Sequence, residues 1–299
     1  MSATAEPVLH GLAAGEAGRP DSPDWTIPQN WAAYTPQEHA TWATLYQRQM
    51  ALLPGRACEA FVDGMRRLPI EPDRIPDFER LSEVLMRHTG WQVVAVPGLV
   101  PDDVFFEHLA HRRFPAGQFI RRADQLDYLQ EPDVFHDVFG HVPMLMHPVM
   151  ADFIQAYGHG GLRAQRLGVL DMLARVYWYT VEFGLVREAG ALRIYGAGIV
   201  SSASESVFCL DSPSPNRIGF ALGRVMRTRY RIDDFQQTYF VLDHLDDLLR
   251  LAEIDFAPLY EQVSRLDTLS ADAVLPQDTV ITRGDGRYHR QRALELQDR

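Results

Sequence analysis

The segment "EPDVFHDVFGHVPMLMHP" sets two histidines, His136 and His141, five positions apart among apolar residues. Neutral imidazole is a common metal ligand. On a straight α-helix, five residues turn through about 500°, so the two side chains would diverge by roughly 140°. A shared metal therefore requires the helix to end or distort between them, and Gly140 and Pro143 predict such a break. The alternative is that each is an ordinary core or capping histidine.

A third candidate ligand lies in "DMLARVYWYTVEFGLVREAG", which is apolar on nearly every side from Met172 to Val186. This pattern predicts a buried helix, and Glu182 lies inside it. A buried, unpaired carboxylate is very unfavourable, so Glu182 needs a metal or a cationic side chain such as Arg175. Trp178 comes four residues before Glu182 and is therefore expected on the same helix face.

Two histidines and one carboxylate, with no fourth protein ligand evident, form the ligand set of non-haem iron(II) oxygenases. The same set also serves hydrolytic zinc. Zinc peptidases, however, carry a general-base Glu beside a metal-binding His in an HExxH or HxxEH helix. This chain has Asp137 there, at the wrong spacing, so the pattern favours iron.

The composition of the chain bounds the class of protein that must position these residues. Its 299 residues are 46% hydrophobic and carry a net charge of −11, which argues against a nucleic-acid or anionic-membrane partner. The cysteines, Cys58 and Cys209, form no CxxC motif. Neither a signal peptide nor a membrane-spanning run is evident, so we expect a cytoplasmic protein.

The order of sequence patterns predicts a mostly α, α+β protein. Residues 1–23 are expected to be a disordered leader and residues 24–299 a single irregular helical domain with short β-hairpins. Amphipathic patterns predict helices in "TPQEHATWATLYQRQMALL", with a Thr35–Glu38 capping box, in "ACEAFVDGMRRL", "DFERLSEVLMRHTG" and "PDDVFFEHLAHRRF", and at about 148–158, 165–188 and 233–253. Strands are predicted in "WQVVAVPG" and "ALRIYGAG", and a hairpin in "DTVITRGDGRYHR".

Three longer blocks carry a specific family resemblance. "YLQEPDVFHDVFGHVP", "YWYTVEFGL" and "YGAGIVSSASE" resemble, in the right order, signature blocks of the pterin-dependent aromatic amino-acid hydroxylases. "GQFIRR" and "FQQTYFVLDHLDDL" extend the likeness. Within this family, the chain is most similar to the short bacterial phenylalanine hydroxylases, and it shows no long C-terminal heptad helix, so we expect a monomer.

The resemblance implies a function and a role for each matching residue. It implies hydroxylation of L-phenylalanine to L-tyrosine by O2 and tetrahydrobiopterin or a related tetrahydropterin at iron(II), within a catalytic domain spanning 24–299. The implied iron ligands are His136, His141 and Glu182. The implied amino-acid contacts are Arg121 at the carboxylate, Ser201 at the carboxylate or at a histidine, Gly198 beside them, and Trp178, Pro132 and Leu129 around the ring. The implied pterin contacts are Phe105, Leu99, Tyr177 and, through water, Asp137.

Other functions remain open from the sequence. A sister enzyme would hydroxylate tryptophan or tyrosine, since a few pocket side chains decide such a preference. A zinc hydrolase would consume no oxygen. A non-catalytic protein that binds aromatic amino acids would use the metal structurally.

Overall fold

The structure is a computed structural model that describes residues 20–127 and 131–297. It has the mostly helical α+β character predicted from the sequence. Residues 1–19 of the predicted leader, and Leu129, lie outside this description. The α-helices are α1 (Pro36–Leu52), α2 (Glu59–Arg67), α3 (Phe78–His88), α4 (Asp102–Ala110), α5 (Pro148–Leu167), α6 (Leu170–Tyr177), α7 (Ala197–Val200), α8 (Ala203–Asp211), α9 (Leu222–Val225), α10 (Asp247–Glu253), α11 (Ala257–Val263) and α12 (Arg287–Gln297).

Two kinds of distorted helix occur beside these elements. Phe135–His141 and Trp178–Glu182 are π-helical. Short 3₁₀ turns occupy Trp31–Ala33, Ala123–Gln125 and Val142–Met146.

The strands form two sheets. β1 (Gln92–Val96) pairs in parallel with β2 (Arg113–Gly117). The larger sheet has the order β4-β3-β6-β5-β7, in which β6 pairs in parallel with both β3 and β5, and the edge strands β4 and β7 are antiparallel. Its strands are β3 (Leu185–Glu188), β4 (Ala191–Ile194), β5 (Asn216–Gly219), β6 (Thr238–Leu242) and β7 (Val280–Thr282).

Local sequence signals explain several element boundaries. The predicted capping box is confirmed, because the Glu38 amide donates to Thr35 Oγ1 and the Thr35 amide donates to Glu38 Oε2. After α3, Gly90 adopts the left-handed conformation with φ of +74° and its amide bonds to Leu85 O, which ends the helix as predicted. The strands predicted at 91–98 and 191–198 are also present, as β1 and β4.

Three predicted elements are wrong. The single helix expected over 165–188 is broken at Gly168, where α5 ends in a left-handed residue. α6 and the π-helical segment then run to Glu182, and after Gly184 the chain continues as β3. Within 233–253, the apolar run "TYFVL" is the fully buried strand β6, and only α10 is helical. The expected hairpin near Gly284 is instead a turn into α12.

The π-helical segment Phe135–His141 lies in the core. Phe135 and Phe139 stack with their ring centroids 4.7 Å apart, and Trp42 meets Phe135 edge-on. α2 lies so close to the 3₁₀ turn Val142–Met146, which follows the π-helical segment, that a Cβ at Gly64 would lie 2.1 Å from Pro143 O. The segment is therefore held on several sides. In the described part of the chain, no helix has both the length and the apolar character that crossing a bilayer requires.

Candidate metal centre

The two histidines of the motif share a face because their helix is widened. In the π-helix Phe135–His141, hydrogen bonds run from residue i to i+5, so residues five apart stand nearly above one another. The Nε2 atoms of His136 and His141 are 3.2 Å apart. The distortion expected from the spacing is confirmed, and it takes the form of a π-helix rather than a helix end.

Hydrogen bonding sets the tautomer of His136. The Ser201 hydroxyl donates to Ala197 O at 2.8 Å and therefore accepts from His136 Nδ1–H at 3.0 Å. The Nε2 lone pair of His136 then faces His141 and Glu182. Burial lowers the pKa of His136 to about 4, so its imidazole is neutral at physiological pH. A neutral imidazole with a free lone pair is the form that binds a metal.

The carboxylate comes from the second π-helical segment, Trp178–Glu182. Glu182 Oε1 is 3.1 Å from His141 Nε2, and Glu182 Oε2 is 3.6 Å from His136 Nε2. Arg175, the alternative partner considered for Glu182, forms an ion pair with Asp171 at 3.1 Å and donates to Met226 O at 2.9 Å. The carboxylate thus lies against both imidazoles.

This arrangement fits a transition metal. One ligand atom from each of His136, His141 and Glu182 lies within 4.8 Å of the other two. Over residues 20–127 and 131–297, no other cluster of three His, Cys, Asp or Glu side chains has this geometry. Two imidazole nitrogens and a carboxylate oxygen match the donor set of non-haem iron(II) sites.

Small residues let a neighbouring helix close over the centre. A Cβ at Gly140 would lie 2.9 Å from Ala197 O, and a Cβ at Gly198 would lie 3.2 Å from Glu182 Oε2. α7 therefore packs directly on both ligand-bearing segments. This packing brings Ser201, which follows α7, to His136.

Asp137 lies beside the ligands and has a different partner. Its Oδ2 accepts from the Gly117 amide at 2.8 Å, at the end of β2. Burial raises the pKa of Asp137 to about 7. The structure thus gives Asp137 a fixed orientation in the cavity wall.

A cavity of about 610 Å³ opens from the three ligands. Its lining contains every described residue that the resemblance assigned to the amino acid or the pterin: Arg121, Pro132, Trp178, Gly198, Ser201, Leu99, Phe105, Asp137 and Tyr177. Phe105 and Tyr177 meet edge-on at 6.1 Å, and Tyr177 stacks near His141 at 6.3 Å. The predicted residues therefore surround one space.

Arg121 is held by a buried carboxylate. Its Nε and Nη2 donate to Asp133 Oδ2 and Oδ1 at 2.8 and 2.9 Å. Burial by itself raises the pKa of Asp133, but the bonds from Arg121 outweigh it and bring the pKa below its ordinary value. One edge of the guanidinium is thus already used within the chain, and Nη1 donates to Leu126 O at 3.4 Å.

The Trp178 side chain contacts a loop, residues 230–236, whose role the sequence did not predict. Its ring stacks on Tyr230 at 4.3 Å, and its Nε1 donates to Gln236 Oε1 at 2.9 Å. Buried Glu205 lines the same cavity and accepts from the Tyr239 hydroxyl. Glu205 and Gln236 lie within the quoted blocks "YGAGIVSSASE" and "FQQTYFVLDHLDDL". Their place inside family-like blocks was the sequence signal that could have identified them as residues of the cavity.

Comparison with known proteins gives a consistent result. Residues 26–260 match the family described as biopterin-dependent aromatic amino acid hydroxylase. The chain is 62% identical over 273 residues to the phenylalanine-4-hydroxylase of Ralstonia nicotianae, covering 91% of this chain and 87% of that protein. It is 60% identical over 265 residues to the phenylalanine-4-hydroxylase of Chromobacterium violaceum, covering 89% of each.

Solved structures agree with the sequence relatives. The cobalt-bound crystal structure of the Chromobacterium violaceum phenylalanine hydroxylase matches with a TM-score of 0.85 and 60% identity, over 87% of this chain and 94% of that chain. The iron- and phenylalanine-bound crystal structure of the same enzyme matches with a TM-score of 0.83 and 57% identity, over 87% and 95%.

Proposed function

The chain belongs to the biopterin-dependent aromatic amino acid hydroxylase family, and we propose that His136, His141 and Glu182 are its three iron ligands. The observation that carries this assignment is the convergence of the three ligand atoms, with the His136 Nε2 lone pair turned inward by Ser201. Because burial keeps His136 neutral, no proton has to be displaced from it before metal binds.

The reaction is the hydroxylation of L-phenylalanine to L-tyrosine with O2 and a tetrahydropterin cosubstrate. Bound iron(II) supplies the redox chemistry that activates O2 with the electrons of the pterin. The chain itself binds and orients the two organic molecules and keeps the site away from bulk water, since His141 is 4% and Glu182 8% exposed.

We propose that the amino acid binds with its carboxylate towards Arg121. Asp133 fixes the guanidinium plane, which reduces the rotamer entropy lost on binding. Ser201 and Gly198 lie beside this position, and Trp178 and Pro132 would enclose the ring. Leu129 keeps its assignment to the ring pocket as a prediction.

The pterin is proposed to lie between Phe105 and the backbone near Leu99, with Tyr177 and Asp137 close by. Phe105 is 4% exposed and presents an aromatic surface of the kind that holds a flat heterocycle. Asp137 is oriented by Gly117 and can reach the pterin through a water molecule.

We also propose that the protein is monomeric and cytoplasmic, and that residues 24–299 form its catalytic domain. The acidic net charge of −11 and the family's small-molecule substrates support this assignment. Sedimentation at several protein concentrations would test the oligomeric state.

Reconstitution of metal-stripped protein tests the function. The protein would receive either Fe(II) or Zn(II), with phenylalanine, tetrahydropterin and air, while tyrosine and oxygen uptake are followed. We expect tyrosine only with iron and pterin together. Hydrolysis with zinc and no oxygen uptake with iron would reject the assignment. Comparing kcat/KM for phenylalanine, tryptophan and tyrosine would rank the three substrates.

A further inference from the structure

One wall of the cavity is an irregular loop, Tyr230–Gln236, named here the wall loop. Its inner side is tied to the pocket: Trp178 stacks on Tyr230, and Gln236 accepts from Trp178 Nε1. The Gln236 amide group also donates to Arg231 O at 2.7 Å. The backbone course of the wall loop and the position of the Trp178 indole are therefore coupled.

The wall loop is also tied to the first turn of α12, where Tyr288 lines the same cavity. The Tyr288 hydroxyl donates to Asp234 Oδ1 at 2.9 Å. His289 Nε2 lies 2.8 Å from Phe235 O, and because a carbonyl oxygen only accepts, the imidazole donates. Phe208 stacks on Phe235 at 4.4 Å, and Tyr288 packs edge-on against Phe208 at 5.2 Å.

The segment that leads into α12 is itself anchored next to the larger sheet. The Gly284 amide donates to Asn216 Oδ1 at 2.9 Å, and the Gly286 amide donates to Ser214 O at 3.0 Å. A Cβ at Gly284 would lie 2.2 Å from Ser214 O, so the approach is as close as a backbone allows. Tyr288 therefore extends from a fixed base.

The Tyr288 hydroxyl remains a hydrogen-bond donor at neutral pH. Burial, followed by the hydrogen bond to Asp234, raises the pKa of Tyr288 to about 12, so its hydroxyl stays protonated at neutral pH. Asp234 Oδ1 also accepts from the Phe235 amide at 2.9 Å. The hydrogen bond thus joins α12 to both the side chain and the backbone of the wall loop.

We propose that Tyr288 is a positioning residue, which holds the wall loop through Asp234 and so sets how closely the cavity fits the aromatic side chain of the amino acid. This inference rests on the proposed function. Tyr288 is remote in sequence from the proposed iron ligands. It lines the cavity, and its hydroxyl holds Asp234 of the wall loop. Its loss is therefore expected to weaken amino-acid binding and to leave the chemical step nearly unchanged.

Tyr288→Phe tests this, because it keeps the ring and removes only the hydroxyl. We expect the KM for phenylalanine in the complete assay to rise about threefold to tenfold. The calorimetric Kd for phenylalanine, measured on iron-loaded protein without pterin, should rise by the same factor. The kcat should stay within about twofold. The matched control is Tyr260→Phe, because the Tyr260 hydroxyl is buried with no hydrogen-bond partner in the described part of the chain. It should leave both constants unchanged.

A double-mutant cycle identifies the partner. Asp234→Ala also removes the bond from the Phe235 amide, so it should weaken binding at least as much as Tyr288→Phe. The combined variant should be no worse than Asp234→Ala alone, because all three lack the hydrogen bond between Tyr288 and Asp234. Additive effects would overturn the proposed link. An unchanged KM and Kd in Tyr288→Phe, or a loss confined to kcat, would also overturn it.

Hydrogen exchange separates this inference from the proposed function. In metal-free protein without any ligand, Tyr288→Phe should speed exchange of the amides of residues 231–236 several-fold, and Tyr260→Phe should not. Unchanged exchange would overturn the positioning role. If the wild-type chain bound no phenylalanine, the proposed function would fail, and the exchange rates would still decide whether Tyr288 holds the wall loop.

Discussion

Two parts of the cavity lining differ in structure: the proposed iron ligands stand on two π-helical segments packed in the core, whereas the wall loop has no regular structure and is held by side chains. His141 is 4% exposed, and Ile232 of the wall loop is 40% exposed. Ser201, Gly140 and Gly198 fix the first part through contacts of α7. Trp178, Tyr288 and His289 fix the second.

The difference follows from what each part has to do. Metal ligands must keep their positions within a fraction of an ångström, which a widened helix buried in the core provides. A pocket wall needs only to fit a side chain, and pocket contacts change specificity in steps of about 1–3 kcal/mol. The fit for the amino acid can therefore change through contacts of the wall loop that do not involve the proposed iron ligands.

The largest effect on stability is expected from Asp133→Ala. This change leaves the Arg121 guanidinium, 9% exposed, without its fully buried carboxylate. Breaking such a pair from one side costs about 3–5 kcal/mol. We expect that loss in the free energy of unfolding by urea, measured on metal-free protein. Asp124→Ala, which breaks the exposed pair with Arg122, is the control and should have no measurable effect. An equal free energy of unfolding for both variants would show that the fold does not depend on the buried pair between Arg121 and Asp133.

Gly140→Ala is expected to have the next largest effect on stability. The new Cβ would lie 2.9 Å from Ala197 O and 3.2 Å from Ala197 Cβ, so α7 has to move. Overpacking of this kind costs about 1–3 kcal/mol, and iron affinity should fall with it in a chelator competition. Gly160→Ala is the matched control in α5, where the nearest atom is Leu173 Cδ2 at 3.9 Å; it should stabilise by up to about 1 kcal/mol. A neutral Gly140→Ala would contradict the tight packing around the proposed iron ligands.

Glu205 makes the stability of the cavity wall depend on pH. Burial, together with the nearby Asp234 carboxylate, raises the pKa of Glu205 from 4.5 to about 7, although Tyr239 and the Gln236 amide donate hydrogen bonds to it. The folded chain therefore binds this proton more tightly than the unfolded chain. The resulting stability is fully present below about pH 4.5 and is lost as pH rises through about 7.

Comparison with Glu205→Gln isolates this effect, because the variant keeps the shape and cannot titrate. Between about pH 5 and 8, wild-type stability should fall by on the order of 2 kcal/mol relative to the variant. Asp137, whose pKa burial also raises, is present in both proteins and cancels in the difference. Parallel pH profiles for the two proteins would contradict the shift.

Arg231→Ala should have the smallest effect. Arg231 pairs with Asp233 inside the wall loop at 3.0 Å, and the Asp233 side chain is 69% exposed. Such exposed pairs contribute at most about 1 kcal/mol. We expect little change in the free energy of unfolding and in the KM for phenylalanine. A loss as large as that of Tyr288→Phe would show that the wall loop is held by its own ion pair rather than by α12.

The sequence predicted the local features of this molecule better than its long-range ones. The Thr35–Glu38 capping box and the distortion between His136 and His141 follow from spacing and side-chain chemistry, and both are present. The sequence pattern predicts helix at Thr238–Leu242, where the structure has a strand, because a short apolar run has no periodicity that separates a strand from a helix. Its state is set by pairing with β3 and β5, which the local sequence does not contain.

The candidate site divides in the same way. His136, His141 and Glu182 were found because buried polar residues in apolar segments are conspicuous. The roles of Tyr288 and Gln236 depend on contacts across 54 and 58 positions of the chain, with Asp234 and Trp178. The partner of Arg121 was missed because Asp133, 12 positions away, resembles an ordinary surface acid in the sequence.

The most direct test of the iron assignment is the metal content of Glu182→Gln beside that of Glu205→Gln. Both residues are buried glutamates that line the same cavity, and only Glu182 lies against the two imidazoles. After loading with Fe(II) and removal of excess metal, we predict about one iron per chain in the wild type and in Glu205→Gln, and nearly none in Glu182→Gln. Full iron occupancy in Glu182→Gln, with tyrosine still formed, would contradict the proposed ligand set.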